Sequence, residues 1–497
     1  MFVYANYQQY KQTTLTRSIL IILTIVFFCT SVAYGQITDF TKGLDPVKIQ
    51  EDISLLKLAL EEAQPGIYRY SSRQKVNRIF SDMMVAAEDS ITYLDVVRAV
   101  ARIQNVIACG HSTWAHSKEY KVYRSKNIRL FPMEIFIADG RYYIKQNNSL
   151  PYDIKDFTEI THINETAVHD ITSELRFYMD RDGMSNADCV LDIQQMFKMA
   201  YSNFIGNPAS FDLKIKSDGG QSETVSVKPL LLSEIDSIKL SRYGADKGLG
   251  TPLRVDFLDS VSTAVYTIKW FNNEYIASKG QNFISFTDSV FQQIANRQSK
   301  NLIIDIRGNG GGWTANGKHL FSYFIKEETP YIQKVELKKY KDYSFASDIT
   351  SLPEFNDTMK FELQEGGSYV WANYPSLTAL PAAKHGYHGK VYILTDGLTR
   401  SAAAVFAALM KEHTNAVFIG EEPAASQSGT SGMVMTIELP YTHLQVSFST
   451  ANYYFNVEDA LNSKGIVPDI EVLPTKQGVQ ANDDEVMRRV LRVIGGE

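Results

Sequence analysis

The stretch Lys390–Lys411, KVYILTDGLTRSAAAVFAALMK, joins a strand pattern to a helix pattern across one short turn. Val391, Tyr392, Ile393 and Leu394 are an apolar run with the length and composition of a buried strand. Thr395 to Arg400 reads as a turn, after which Ala402, Val405, Phe406, Leu409 and Met410 recur at helical spacing. Ser401 falls where the turn becomes the helix. Two readings of it stand. One is a helix N-cap. The other is a nucleophile at the positive end of the helix dipole, beside free N–H groups that stabilise an oxyanion.

The chain has 497 residues, enough for two or three domains with full cores. An apolar content of 44% with 21% charged residues describes a soluble globular protein. The net charge of −6 has no basic stripe, which excludes a nucleic-acid partner. The N-terminus differs in character. Lys11 and Arg17 precede an apolar run from Ser18 to Phe28, and Ala33-Tyr34-Gly35 supplies small residues before Gln36. Residues 1–35 are therefore expected to be a secretory signal peptide, which places the mature chain in the periplasm or outside the cell. The run is short for a membrane span, which needs roughly 20 residues, so no stable membrane insertion is expected after cleavage. An uncleaved anchor is the alternative. The mature chain would carry a charge of about −8. Only Cys109 and Cys189 would remain, enough for one disulfide and no scaffold. No CxxC, HExxH or Cys/His cluster occurs, so neither metal nor cofactor is expected.

Four regions follow one another. Residues 36–118 read as helical: a segment opening at Asp45-Pro46, then Gln74–Ala87 and Tyr93–Ile107. The last leads to Cys109-Gly110-His111-Ser112-Thr113, where Gly110 signals a C-cap and His111 lies just beyond it. Residues 119–235 turn to short strands with a helix over Asp170–Tyr178. Ala138-Asp139-Gly140 marks a hairpin there. Glu159-Ile160-Thr161-His162-Ile163-Asn164 resembles the I-x-x-I-N-G segment of PDZ domains, with Glu165 where Gly is usual. Residues 235–251 read as a polar linker. From 236 to 497 strands and helices alternate, which argues for an α/β core, with an irregular insertion at about 330–385.

The strand Asn301–Ile306 runs directly into Gly308-Asn309-Gly310-Gly311-Gly312. This is neither GxGxxG nor a P-loop, so a phosphate cradle is the weaker reading. A tight structural turn is one alternative. An oxyanion loop, whose glycines let N–H groups approach a reacting carbonyl, is another. Leu302–Gly312 resembles the LIIDLRxNGGG signature of the S41 serine peptidases. Ser401-Ala402-Ala403-Ala404, Ile419-Gly420-Glu421 and Gly465–Ile470 fall where that family has SASE, VGE and GVxPDI, in the same order.

The resemblance implies a crotonase/ClpP-like α/β catalytic core with an N-terminal helical region and a PDZ-like module. It implies a serine peptidase acting on peptides or unfolded proteins, with Ser401 as nucleophile and Gly310 or Gly311 with Ala402 as oxyanion donors. Processing peptidases of the family place a Lys base where this chain has Ser426. The tricorn-like branch uses a His from the N-terminal region, which His111 matches. That branch orients its His with a Glu, and here Asn462 stands in its place, with Glu458 and Asp459 as possible substitutes. The rival expectation is a peptide- or ligand-binding protein on the same fold. Asn462, Ala404 and Glu165 favour it, and Ser401, His111 and the intact glycines oppose it. The oligomeric state is not legible in the sequence.

Overall fold

Strand Lys390–Thr395 lies inside a six-stranded sheet, flanked in parallel by Asn301–Asp305 and Val417–Gly420. This is a computed structural model describing residues 37–496, apart from 38, 151–153, 184–186, 218, 246, 247, 249 and 459–464. The expected signal segment, Asp459 and Asn462 lie outside the described residues. Thr263–Ile268 and Ile470–Glu471 extend the parallel run, and Leu253–Leu258 closes one edge antiparallel. Leu302, Ile304 and Ile393 face helices Phe283–Arg297 and Ala402–His413, while Ile303, Tyr392 and Leu394 face the C-terminal helix Glu485–Gly495. Burial on both faces is why these strands read as unbroken apolar runs. The core is α/β, as expected.

Helix Ala402–His413 is buried from Ala402 through Met410. Five alanines give it high helix propensity and the slimness to sit in a closed interior. Its core is shared with a second sheet of seven strands. The hairpin Gly429–Glu438 and Gln445–Phe455 dominates that sheet. Ile332–Leu337, Ile349–Ser351, Phe361–Leu363, Tyr369–Trp371 and the short strand Thr113–Ala115 complete it. The stretch expected to be an irregular insertion thus supplies four strands. Three of them are only three residues long, too short to show periodicity.

The N-terminal helices Pro46–Ala63, Arg73–Ala87 and Tyr93–Ile107 form where expected. Asp52 anchors the first to the hairpin tip: its buried carboxylate accepts from the N–H groups of Tyr441 and Thr442, each at 2.9 Å, and from Thr442 Oγ1 at 2.6 Å. The third sheet orders Met133–Ala138, Arg141–Asn147, Glu159–Ile163, Phe211–Lys216 and Ser222–Val227. Asp139 and Gly140 both take positive φ in its first hairpin, as the Asp-Gly signal predicts. Asn164, not Glu165, holds the positive φ of its own turn, so no glycine is needed at 165. The expected linker is instead helical over Leu232–Tyr243, where only Ile235 is buried and no apolar stripe betrays it. Among the described residues no helix is long and apolar enough to cross a membrane.

Glu421 follows the strand Val417–Gly420, its N–H donating to the Thr395 carbonyl at 3.0 Å. Burial, with Asp396 and Glu471 nearby, pushes its carboxyl up to about 7. A carboxyl raised in the folded state is protonated there while the unfolded chain is already ionised, so stability falls as pH rises from about 4.5 to 7. Glu421→Gln is expected to raise the urea midpoint at pH 8, with the gain fading towards pH 4.5. Equal midpoints at pH 8 would contradict this.

Candidate active site

Two loops at the ends of neighbouring parallel strands are laced together. Asp396 Oδ1 accepts from the Gly308 N–H at 2.9 Å and the Leu398 N–H at 3.0 Å. Thr399 Oγ1 donates to the Ile306 carbonyl at 3.0 Å, and the Arg400 N–H to the Asn309 carbonyl at 3.0 Å. Asn309 is fully buried. Its amide donates to the Ile268 carbonyl at 3.0 Å, and its Oδ1 accepts from the Gly311 N–H at 2.9 Å. The glycine loop is thereby held rigidly against the turn that carries Ser401.

Ser401 occupies the N-cap position, yet its hydroxyl makes no capping bond. Its backbone sits at φ 50°, ψ −126°, a conformation glycine adopts readily and other residues rarely. Such a strained strand-to-helix turn lifts a serine hydroxyl out of the helix end. Gly311, at φ 100°, lies against it: a Cβ there would come within 2.6 Å of the Ser401 Cβ and 2.9 Å of the Ala402 nitrogen. Among the described residues the N–H groups of Gly310, Gly312 and Ala402 meet no acceptor, whereas that of Gly311 is taken by Asn309. Gly312 and Ala402 line the cavity beside Ser401.

His111 comes to this turn from the N-terminal region. Helix Tyr93–Ile107 ends with Ala108 in the left-handed conformation, so Ala108, not Gly110, takes the cap role. Gly110 is required for another reason: a Cβ there would lie 2.8 Å from the Cβ of Asp182. Strand Thr113–Ala115 then pairs with Gln445–Phe455, Thr113 opposite Ser447. Gln104 Nε2 ties the joint, donating to the carbonyls of Thr113 at 2.8 Å and Ser447 at 3.3 Å. The result sets His111 Nε2 3.1 Å from Ser401 Oγ, across 290 residues of sequence.

The other ring nitrogen, Nδ1, lies 3.4 Å from Ser431 Oγ, and Ser431 Oγ lies 2.9 Å from the Cys109 sulfur. For Nε2 to accept the Ser401 proton, Nδ1 must carry hydrogen, and Ser431 is placed to accept it. Burial, and secondarily the Arg400 guanidinium, hold the imidazole down at about 4, so it is neutral at pH 7. Ser431→Ala is expected to lower kcat about tenfold, the equivalent of one neutral hydrogen bond, with KM little changed and Ser431→Thr restoring the rate. An unchanged kcat in Ser431→Ala would remove Ser431 from the arrangement.

Sequence reasoning missed Ser431 and Asp182. Asp182 is buried where the His111 loop meets the hairpin, accepting from Thr430 Oγ1 at 3.1 Å and from the Gly110 N–H. Burial pushes its carboxyl up to about 6. Of the residues weighed as orienters, Asn462 and Asp459 lie outside the described residues. Glu458 is exposed, its N–H directed at Glu412 Oε1 at 3.4 Å. Ser426 is buried, 3.0 Å from the Ser428 hydroxyl. Cys109 and Cys189 are both buried and not joined to each other, so the disulfide weighed from sequence is not formed. Arg400 pairs with Asp192 at 2.9 Å, joining helix Ala187–Ala200 to the residue before Ser401. On the same helix Gln194 Oε1 accepts from the N–H of Ile137, in strand Met133–Ala138, at 2.7 Å.

Residues 267–472 match the model of peptidase family S41. Among solved structures, mature CPAF superposes with a TM-score of 0.60 at 13% identity, over 91% of this chain and 98% of its own. Mature CPAF complexed with lactacystin gives a TM-score of 0.60 at 14% identity, over 91% of this chain and 99% of that one. At such identities the likeness is one of fold.

Proposed function

We propose, from the match of residues 267–472 to the model of peptidase family S41, that the chain is a serine endopeptidase working through an acyl-enzyme on Ser401. The observation that carries this is the 3.1 Å approach of His111 Nε2 to Ser401 Oγ. His111, neutral above about pH 4, takes the hydroxyl proton as Ser401 attacks a peptide carbonyl. It then returns the proton to the leaving amine, and water hydrolyses the ester by the same base.

The oxyanion donors expected from the sequence were Gly310 or Gly311 with Ala402. Because Asn309 engages the Gly311 N–H, and Gly312 and Ala402 but not Gly310 line the cavity beside Ser401, we assign the pair to Gly312 and Ala402, at the positive end of helix Ala402–His413. Asn462 remains a proposed further orienter of His111. The imidazolium formed in the transition state faces a hydroxyl at Ser431, not a carboxylate. Loss of a triad carboxylate costs on the order of 10⁴ in rate, so a low kcat is expected.

The substrates proposed are peptides or unfolded proteins, met in the periplasm or outside the cell after removal of residues 1–35. The module over 119–235 is proposed as a PDZ-like gate, with the Asp192–Arg400 pair as its link to the catalytic turn. The test incubates the chain from Gln36, beside Ser401→Ala and His111→Ala, with a mixed peptide library and reads new termini by mass spectrometry. Cleavage lost in both variants is the expected result. Absence of cleavage by the parent across pH would favour a binding protein on this fold.

A further inference from the structure

Beside Ser401 and His111 lies a cavity of about 200 Å³, walled on one side by Thr314, Ile332, Val405, Met433 and Tyr453 and on the other by the polar Thr430 and Ser431. It is smaller than the roughly 300–1,000 Å³ of pockets that take whole drug-sized molecules, so it suits a single side chain. Val405 stands one helical turn after Ser401 and therefore on the same face of helix Ala402–His413. Ile332 opens strand Ile332–Leu337 and is buried. Among the described residues no Asp, Glu, Lys or Arg lines the cavity.

Met433 is the unusual member. It lies two residues after Ser431 on strand Gly429–Glu438, yet its φ is 55°, in the left-handed region that a strand residue with a side chain rarely enters. Thr450 Oγ1 holds this geometry by donating to the Met433 carbonyl at 2.7 Å. Strain kept beside a reactive serine points to a role for the side chain it aims. A thioether on three rotatable bonds is an adaptable wall.

Resting on the peptidase reading above, we propose that Met433 and Val405 set substrate specificity by shaping the pocket for the residue on the acyl side of the scissile bond. The pocket takes aliphatic side chains of the size of Val, Leu and Met. It rejects charged ones, which would be desolvated with no partner, and excludes the indole of Trp by size. Glycine at 433 relieves the backbone and enlarges the pocket together, so Met433→Gly folds and admits larger rings. Val405→Ala enlarges it from the opposite wall without touching that strand.

The test uses the chain from Gln36 with an equimolar set of peptides differing only at that residue (Leu, Val, Phe, Trp, Lys, Glu). A matching series of peptide boronates reads the Ser401 adduct by intact mass. The expected result is a kcat/KM, or an adduct yield, at least 100-fold higher for Leu than for Lys or Glu. Met433→Gly and Val405→Ala should each raise the Phe-to-Leu ratio at least tenfold. Ser401-dependent cleavage that ignores this residue, or a ratio unmoved in both variants, overturns the pocket and leaves the peptidase standing. Neither cleavage nor a Ser401 adduct with any member overturns the peptidase reading and this inference with it.

Discussion

Ser401→Gly is expected to abolish turnover and at the same time make the fold more stable. The two effects share one cause. At φ 50°, ψ −126° a serine is held in a conformation that costs about 1–3 kcal/mol and that glycine adopts freely. Glycine's greater freedom in the unfolded chain takes back about 0.5–1 kcal/mol, so the net gain is about 1 kcal/mol. Ser401→Ala removes the hydroxyl but keeps the strain, and its stability should stay within about 0.5 kcal/mol of the parent. Both variants should lose at least about 10⁴-fold in kcat/KM, because among the described residues His111 Nε2 is hydrogen-bonded to Ser401 Oγ alone. Urea midpoints of the three proteins check the first part. A glycine variant less stable than the alanine one would show that the turn carries no strain.

His111→Ala is expected to cost about as much, at least about 10³-fold in kcat, and to change the shape of the pH profile. A histidine of ordinary pKa would switch the enzyme off below about pH 6.5. Here burial dominates, and Arg400 adds to it, so the ring stays neutral down to about 4. Protonation removes the base, so the acid limb of kcat/KM should inflect near pH 4 and be absent from the residual activity of His111→Ala. An inflection near 6.5 would mean that the imidazole is far better solvated than the structure has it.

The parts of this site written in contiguous sequence were legible. A buried strand running into a glycine run, and another into a turn, a serine and an alanine-rich helix, each carry a local pattern. His111 was reached through a motif beyond a helix end, although Gly110 owes its place to the crowding carboxylate of Asp182 and not to a cap. Ser431 was not legible. It is one serine in the strand GTSGMVMTIE, and its nearness to His111 arises only when strand Thr113–Ala115 pairs with Gln445–Phe455, which in turn pairs with the strand holding Ser431. Met433 was equally hidden, because its left-handed backbone and the Thr450 bond that holds it are products of the fold. The glycine loop illustrates the limit. Sequence proposed glycine donors but not that Asn309 would occupy one of them. Helix Leu232–Tyr243 escaped for a different reason, since with only Ile235 buried it has no apolar stripe to show.

In the proposed mechanism Ser401 becomes acylated by substrate with His111 as the base. The most direct test is an acid-quenched reaction of the chain from Gln36 with a cleavable peptide, digested and mapped by mass spectrometry. An acyl adduct on the fragment containing Ser401 is expected in the parent, and none in Ser401→Ala or His111→Ala. Peptide cleavage that persists in Ser401→Ala, or an adduct that forms on another residue, would contradict the mechanism.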